Sequence, residues 1–212
     1  MPLHRLAALF RPSSVLVLSE RALPIGRDTP DLLKNGITFT VITAQSIRVP
    51  AELDGVASGA RLDLALLCVD PRRLPEALEA VRAHRPRAIA LLAASAPSAD
   101  PIADVAVCQS WARLNDCLIL GPRSFGVQRP PRGLNFSHAP NMALPGRVAL
   151  VTQSRSIVAA VMDWAADINM GFSAIISLGD EAVVTIPEVL NYLAADGHTD
   201  SIALYLDTIS SS

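Results

Sequence analysis

The sequence predicts an α/β fold, in which a Rossmann-like domain with an open parallel sheet is followed by the start of a second α/β domain. Short apolar runs that are not interrupted by alternating polar residues are typical of strands buried on both faces. Such runs alternate with helix-like stretches up to about residue 126. After a break that is rich in proline and glycine, the same order of strand and helix resumes. Right-handed crossovers join strands that alternate with helices, and they build a doubly wound sheet.

Residues 1–127 carry the elements of the first domain. Its predicted strands are Val15–Leu18, Thr38–Thr43, Leu62–Val69, Ala88–Ala93 and Cys117–Leu120. Its predicted helices are Thr29–Asn35, Arg72–Arg82 and Ile102–Asn115. The first helix has the clearest ends, because a threonine stands at its N-cap, a proline follows, and Gly36 comes just past its last residue.

The second domain follows the stretch Val127–Gly146, whose prolines and glycines cannot continue a central strand or helix. Residues 128–146 are therefore predicted to be a connecting segment with room for a small hairpin. Residues 147–212 supply strand Val148–Thr152, helix Ser156–Ile168, strand Ser173–Ser177, helix Ile186–Ala195 and strand Ser201–Leu206. This set is small for an α/β layer, so we expect a partial domain whose exposed apolar surface leads to self-association or needs a covering segment.

The composition argues against several classes of protein. Half of the 212 residues are hydrophobic, and a net charge of −2 disfavours a partner with a phosphate backbone. The apolar runs are shorter than the roughly 20 residues of a membrane helix, and Met1–Arg11 lacks the apolar core of an export signal. Three cysteines without metal-type spacing indicate buried thiols. We expect a cytoplasmic protein that binds neither nucleic acid nor membranes.

Candidate sites lie in the loops after the strands, since ligands bind beyond the carboxyl ends of an open parallel sheet. The loop Ser19–Gly26 stands where a glycine-rich phosphate loop is found, but it has one late glycine and no G-x-G-x-x-G pattern. It is as typical of a plain surface loop as of a phosphate cradle. The turn Gly121–Gly126, with two glycines and a proline, fits a ligand loop and a purely structural turn equally well.

The segment Gln153–Ser156 lies between a strand and a helix of the second domain. Its amides and the Ser154 hydroxyl suit an anion at a helix N-terminus, although Ser154 or Ser156 is also an ordinary helix cap. Gly179, Asp180 and Glu181, after the next strand, are candidates to face the same place. The sequence has no metal-binding pair, nucleophile elbow or Walker lysine, so no metal site is predicted.

Ten segments in chain order carry a resemblance to a known family. They are Leu9–Val15, Leu120–Pro122, Gly133–Ser137, Pro145–Ala149, Thr152–Ser154, Asp163–Ala165, Met170–Ser173, Ser177–Asp180, Tyr192–Ala194 and Ala203–Leu206. Together they resemble the NDP-forming acyl-CoA synthetases, which are related to the alpha subunit of succinyl-CoA synthetase. Met170–Ser173 and Leu66–Cys68 are most similar to one branch, the synthetase-like regulatory domain of bacterial protein lysine acetyltransferases.

The resemblance implies a CoA-binding Rossmann domain followed by a flavodoxin-like, succinyl-CoA synthetase-type domain. By match to the family's loops, CoA or acyl-CoA would contact Ser19, Glu20, Arg21, Thr43, Val69, Asp70, Pro71, Ala94, Ser95, Gly121, Pro122, Arg123 and Ser124. In the family's enzymes a phosphohistidine rests against helix N-termini, which implies phosphate or anion binding at Gln153, Ser154, Arg155 and Ser156.

Three loops depart from the family's pattern. The chain has Ser19–Arg21 for Gly-Ala-Ser, Arg123 for Asn in Gly-Pro-Asn, and Arg155 for Gly in Gln-Ser-Gly. The first change puts a carboxylate near the expected CoA phosphates. The third puts a guanidinium at the anion site, where it either fills the site or pairs with a phosphate.

Two functions follow from the resemblance. One is a CoA- or acyl-CoA-binding module that forms a non-catalytic, regulatory part of a larger acyltransferase, and the altered loops favour it. The alternative is the amino-terminal portion of an active NDP-forming acyl-CoA synthetase, an acid-thiol ligase. The family's phosphorylated histidine and ATP-grasp domain lie beyond Ser212, so no catalytic residue is assigned and the partner is a downstream domain or separate subunit.

A nicotinamide-dependent oxidoreductase is disfavoured because the glycine fingerprint is absent, and a scaffold without a ligand stays open.

Overall fold

Strands and helices alternate in residues 64–124 and again in residues 145–205, as the sequence predicts. The computed structural model describes residues 5–20, 36–43, 47–53, 56–57, 59–94 and 96–208. In chain order the elements are α1 (Ala7–Phe10), β1 (Ser14–Ser19), β2 (Thr38–Thr43), β3 (Leu64–Cys68), α2 (Leu74–Val81), β4 (Ala88–Leu92), α3 (Pro101–Asn115), β5 (Leu118–Ser124), β6 (Gly126–Arg129), β7 (Leu134–Ser137), β8 (Pro145–Thr152), α4 (Arg155–Asp167), β9 (Phe172–Ser177), α5 (Ile186–Ala194) and β10 (Ser201–Tyr205). The predicted helix Thr29–Asn35 lies outside the described residues.

The first sheet has the strand order β2-β1-β3-β4-β5, with every neighbouring pair parallel. This is one of the two common orders of doubly wound sheets, and it confirms the predicted fold class. Its central strands are buried on both faces, as their unbroken apolar runs predict: Leu64, Ala65, Leu66 and Leu67 are each at most 1% exposed. The order reverses between β1 and β3, and a crevice is expected at their carboxyl ends.

Two predicted elements of the first domain are shorter in the structure. The predicted strand Leu62–Val69 begins at Leu64, because the Leu62 amide and carbonyl bond to His84 and Arg87 rather than to a neighbouring strand. The predicted helix Arg72–Arg82 opens with a 3-10 turn over Pro71–Arg73 before α2 starts. The Asp70 carboxylate accepts the Arg72 amide and so caps this turn.

The second sheet has the order β10-β8-β9-β6-β7, in which β10, β8 and β9 are parallel and β6 and β7 run antiparallel. The hairpin β6–β7 falls largely inside the predicted connecting segment, residues 128–146, and it extends the second sheet. Gly126 allows this, since its φ is +110° and a Cβ there would lie 2.2 Å from the Phe136 carbonyl oxygen. The predicted domain limits stay a prediction, with the hairpin attached to the second sheet.

One core joins the two sheets. Buried side chains of β1, β3 and β4 belong to the same apolar cluster as those of β6, β8 and β9. At its edge the rings of Phe10 and Tyr192 stack with their centroids 4.5 Å apart. In the described part of the chain, no helix combines the length and apolar character needed to span a membrane.

Candidate functional site

A cavity of about 270 Å³ lies where the carboxyl ends of β3, β4 and β5 meet the start of α4. It brings together six of the residues predicted to bind CoA or an anion. These are Val69, Pro71, Ala94, Pro122, Arg123 and Arg155. Leu67, Leu74 and Leu91 form part of its wall, while Asp104 and the two arginines add charge. The cavity therefore suits a ligand with an apolar part and an anionic part.

Glu20 occupies the crevice between β1 and β3. Its amide donates to the Cys68 carbonyl at 3.2 Å, and its Oε2 accepts the Asp70 amide at 2.9 Å. Its Oε1 accepts Nη1 of Arg73 at 2.7 Å. The carboxylate thus takes a backbone donor and a cation at the point where an open sheet of this order places its ligand.

Asp70 and Arg73 complete this charged cluster. A hydrogen bond from the Arg72 side chain, helped by the Arg72 amide, lowers the pKa of the Asp70 carboxyl to about 2. Arg73 bridges Glu20 and Glu76, with its Nε 3.0 Å from Glu76 Oε2. Arg73 is a residue that the sequence argument missed, although its place two residues after Pro71 at a strand end was a usable signal.

Two further predicted residues, Ser19 and Thr43, lie at strand ends, and Ser19 does not line the cavity. Ser19 ends β1 and is buried, and Thr43 ends β2 at the edge of the sheet. Arg21 and Ser95 lie outside the described residues.

The last four residues of β5, Gly121–Ser124, predicted as part of a turn, connect the two sheets. Arg123, at a φ of +61°, donates from Nε to Asp180 Oδ2 at 2.8 Å, and its Nη2 also binds this carboxylate. This hydrogen bond raises the pKa of Arg123. The Asp180 and Ala182 amides donate to the Pro122 and Gly121 carbonyls, each at 3.0 Å. Asp180 therefore binds this segment through both its side chain and its amide. The sequence had suggested that Asp180 faces Gln153 instead.

The backbones of these two segments approach closely, which explains why Gly179 and Ser124 occur at their positions. Gly179 is required because a Cβ there would lie 2.1 Å from the Pro122 carbonyl oxygen. Ser124 is fully buried, donates to the Ser177 carbonyl and accepts the Gly126 amide at 2.9 Å. Ser124 therefore holds the sheets together and does not line the cavity.

The residues at the start of α4 divide between two roles. Gln153 Oε1 accepts the Asp207 amide at 2.7 Å, and its Nε2 donates to Glu181 Oε1 at 2.5 Å. Ser154 is the N-cap residue without a side-chain capping bond, and its amide donates to Thr152 Oγ1. Arg155, the first helical residue, lines the cavity. Glu181 does approach Gln153, as the sequence suggested, and its Oε2 accepts the Ile186 amide.

Comparison with known proteins gives the class of the second domain. Residues 145–212 match the family described as succinyl-CoA ligase like flavodoxin domain. This part of the chain is therefore of the succinyl-CoA ligase type, and the match starts at the first residue of β8.

Particular relatives are ADP-forming CoA ligases. The chain is 26% identical over 221 residues to the acetate–CoA ligase [ADP-forming] I subunit alpha of Pyrococcus furiosus, covering 96% of this chain and 47% of that protein. A 91-residue region is 35% identical to the 4-hydroxybutyrate–CoA ligase [ADP-forming] of Nitrosopumilus maritimus, covering 42% of this chain and 13% of that protein. The chain thus spans about half the length of the first of these relatives, and its match to the second covers a smaller share.

Solved structures show the same fold. The dinucleotide forming acetyl-coenzyme A synthetase 1 of Ca. Korarchaeum cryptofilum, in complex with phosphate and ADP, superposes with a TM-score of 0.78 at 22% identity. The match covers 97% of this chain and 46% of that one. The predicted combination of a parallel α/β sheet and a flavodoxin-like domain is confirmed.

Proposed function

We propose that this chain binds CoA or acyl-CoA, as the alpha-subunit-like part of a larger protein of the NDP-forming acyl-CoA synthetase type. The observation that carries the proposal is the cavity at the carboxyl ends of β3, β4 and β5. Val69, Ala94 and Pro122 from three strand ends converge there with Arg155 of the second domain. The sequence comparison with ADP-forming CoA ligases over 96% of the chain supports the same ligand class.

The apolar and the charged parts of the cavity wall suit different parts of CoA. Leu67, Leu74 and Leu91 offer apolar surface to the uncharged arm of CoA, and Arg155 offers a cation to a phosphate. Arg123 also lines the cavity, but Asp180 already binds its guanidinium. At about 270 Å³ the cavity accommodates a portion of CoA, so the rest would extend along the open edge of the sheet.

We assign no catalytic residue to this chain. Acid-thiol ligation needs a phosphorylated group and a nucleotide site, which the resemblance places beyond Ser212. In the proposed arrangement this chain supplies the CoA subsite, and a downstream domain or a separate subunit supplies phosphoryl transfer.

A second candidate is a regulatory module that binds acyl-CoA without catalysis. The Glu20 carboxylate favours it, because it fills the β1/β3 crevice and repels phosphate oxygens there. The two candidates differ in one property of the longer protein: a synthetase takes up phosphate from ATP onto a histidine, and a regulatory module does not.

Calorimetric titration of the chain with CoA, acetyl-CoA and NAD tests the proposal. We expect micromolar binding of CoA or acetyl-CoA and no heat with NAD. Arg155→Ala should weaken CoA binding, whereas Arg82→Ala, on an exposed helix end paired with Glu79, should leave it unchanged. A folded chain that gives no heat with CoA or acetyl-CoA overturns the proposal.

A further inference from the structure

A second polar cavity, of about 360 Å³, lies at the opposite edge of the sheets from the candidate CoA site. Its polar wall contains Arg11, Ser13, Arg132 and His198. Arg11 and Ser13 precede β1, and His198 precedes β10, so the cavity lies at the amino ends of these strands. The remaining wall is apolar or backbone, from Pro12, Gly36, Ile37, Pro131 and Leu134.

One buried carboxylate beside this cavity pairs with two guanidinium groups. Asp196, whose side chain is 0% exposed, accepts Nη2 of Arg129 at 2.8 Å and Nη2 of Arg11 at 3.1 Å. One negative charge thus serves two guanidinium groups. Arg129 is itself 0% exposed, and its Nε and Nη1 have no hydrogen-bond partner. Arg129 does not line the cavity, and its guanidinium carbon lies 5.7 Å from the centre of the Phe10 ring. A buried, partly unsatisfied guanidinium is costly, so negative charge in the neighbouring cavity would stabilise this cluster.

Arg132 adds a further positive charge to the wall of the cavity. Burial, followed by repulsion from Arg11 and Arg129, lowers the pKa of Arg132. His198 stands on the same wall, with Nδ1 3.6 Å from Asp196. Arg11 keeps 42% of its side chain exposed while it bonds Asp196, so part of its fork faces solvent.

We propose that this cavity binds a phosphate group, either free or carried by a small organic phosphate. Guanidinium groups match the geometry of phosphate oxygens, and a phosphate monoester, with a charge of about −1.5 to −2 at neutral pH, complements the Arg11 and Arg132 side chains on the cavity wall. The cavity is larger than one phosphate needs, and its proline, isoleucine and leucine walls leave room for an uncharged body. This site is independent of the CoA site and of whether CoA binds.

Calorimetric titration of the whole chain at constant ionic strength tests the proposal, with sodium phosphate and AMP as separate probes. We expect at least one probe to bind with a Kd below about 1 mM. If phosphate alone binds, the ligand is the free ion, and if AMP binds more tightly, the walls recognise an organic phosphate. No heat from either probe up to about 10 mM overturns the proposal.

Matched variants locate the binding. Arg132→Gln and Arg11→Gln should each weaken it by about ten-fold or more, since each removes one cation from the wall. Arg82→Gln removes an exposed arginine elsewhere and should have no effect. If Arg155→Gln, at the opposite edge, weakens phosphate binding while the two cavity variants do not, the site is wrongly placed. Having two cavity variants, each checked by circular dichroism, keeps the test decisive where one fails to fold.

Discussion

At the scale of single residues, Glu20 decides how the crevice between β1 and β3 is used. Its carboxylate accepts the Asp70 amide and pairs with Arg73, so both donors are held by the protein itself. We expect Glu20→Gln to raise the affinity for CoA several-fold, because the amide keeps an acceptor oxygen and removes the negative charge. Calorimetry measures the change. Glu79→Gln, also an arginine-paired glutamate, is the control, and equal affinities in Glu20→Gln and the parent chain contradict this role.

Asp70 gives a pH-dependent contribution to stability. The Arg72 hydrogen bond lowers the pKa of its carboxyl from 3.8 to about 2 in the folded chain. A lowered pKa stabilises the folded state above the unfolded value of 3.8, and this stabilisation is lost as the pH falls through about 2. Asp70→Asn should therefore be less stable than the parent at pH 7, with a difference that shrinks between about pH 4 and pH 2. Urea unfolding at several pH values measures it, and a pH-independent difference contradicts it.

The buried cysteines should be inert. Burial raises the pKa of the Cys108 and Cys117 thiols to about 12 in each case, so almost no thiolate exists at neutral pH. We expect iodoacetamide at pH 8 to leave both unmodified in the folded chain and to modify both in urea. Peptide mass mapping reads the result, and rapid labelling of either residue without denaturant contradicts the structure.

At the scale of elements, the carboxyl-terminal segment Gly121–Ser124 of β5 couples the two sheets. Arg123 bridges from this segment to Asp180 after β9, and the backbones of the two segments are also hydrogen-bonded. Arg123→Ala should alter CoA affinity, because the side chain lines the cavity, and should lower stability by about 0.5–1 kcal/mol, because the ion pair between the half-exposed Arg123 and Asp180 is lost. Asp180→Asn separates the effects, since it loosens the bridge but keeps the arginine. Unchanged CoA affinity in a folded Arg123→Ala variant removes this segment from the site.

The strands were predictable because burial on both faces produces unbroken apolar runs, as in Leu64–Leu67. The hairpin β6–β7 was less visible. Its four-residue strands sit among prolines, and its pairing with β9 depends on a residue, Gly126, whose conformation the sequence does not specify. Strand order was also not fixed by the alternation of elements, because several doubly wound orders share it.

The positions of the candidate site were partly predictable for a related reason. Carboxyl ends of parallel strands share an edge, so Val69, Ala94 and Pro122 could be expected together. The partners that set the charge there, such as Arg73 for Glu20 and Asp180 for Arg123, are 53 and 57 residues away in sequence. Pairing over such distances depends on the register of the folded strands and leaves no local pattern.

At the scale of the whole molecule, the second sheet ends in an exposed strand. Among the described residues β10 pairs with β8 on one side, and its Leu204 and Tyr205 side chains are 43% and 42% exposed. An apolar strand at a sheet edge has free backbone donors and acceptors and favours pairing with another strand. We therefore expect this 212-residue chain to self-associate through β10 unless a further segment or subunit covers it.

Leu204→Lys tests this expectation, because a charge on an edge strand opposes pairing between sheets. Light scattering over increasing protein concentration should show dimers or larger species for the parent chain and a shift toward monomer for Leu204→Lys. Leu114→Lys is the matched control, since Leu114 is 85% exposed on α3, away from the edge strand. A parent chain that stays monomeric at high concentration, or an equal shift in both variants, shows that β10 is not the contact surface.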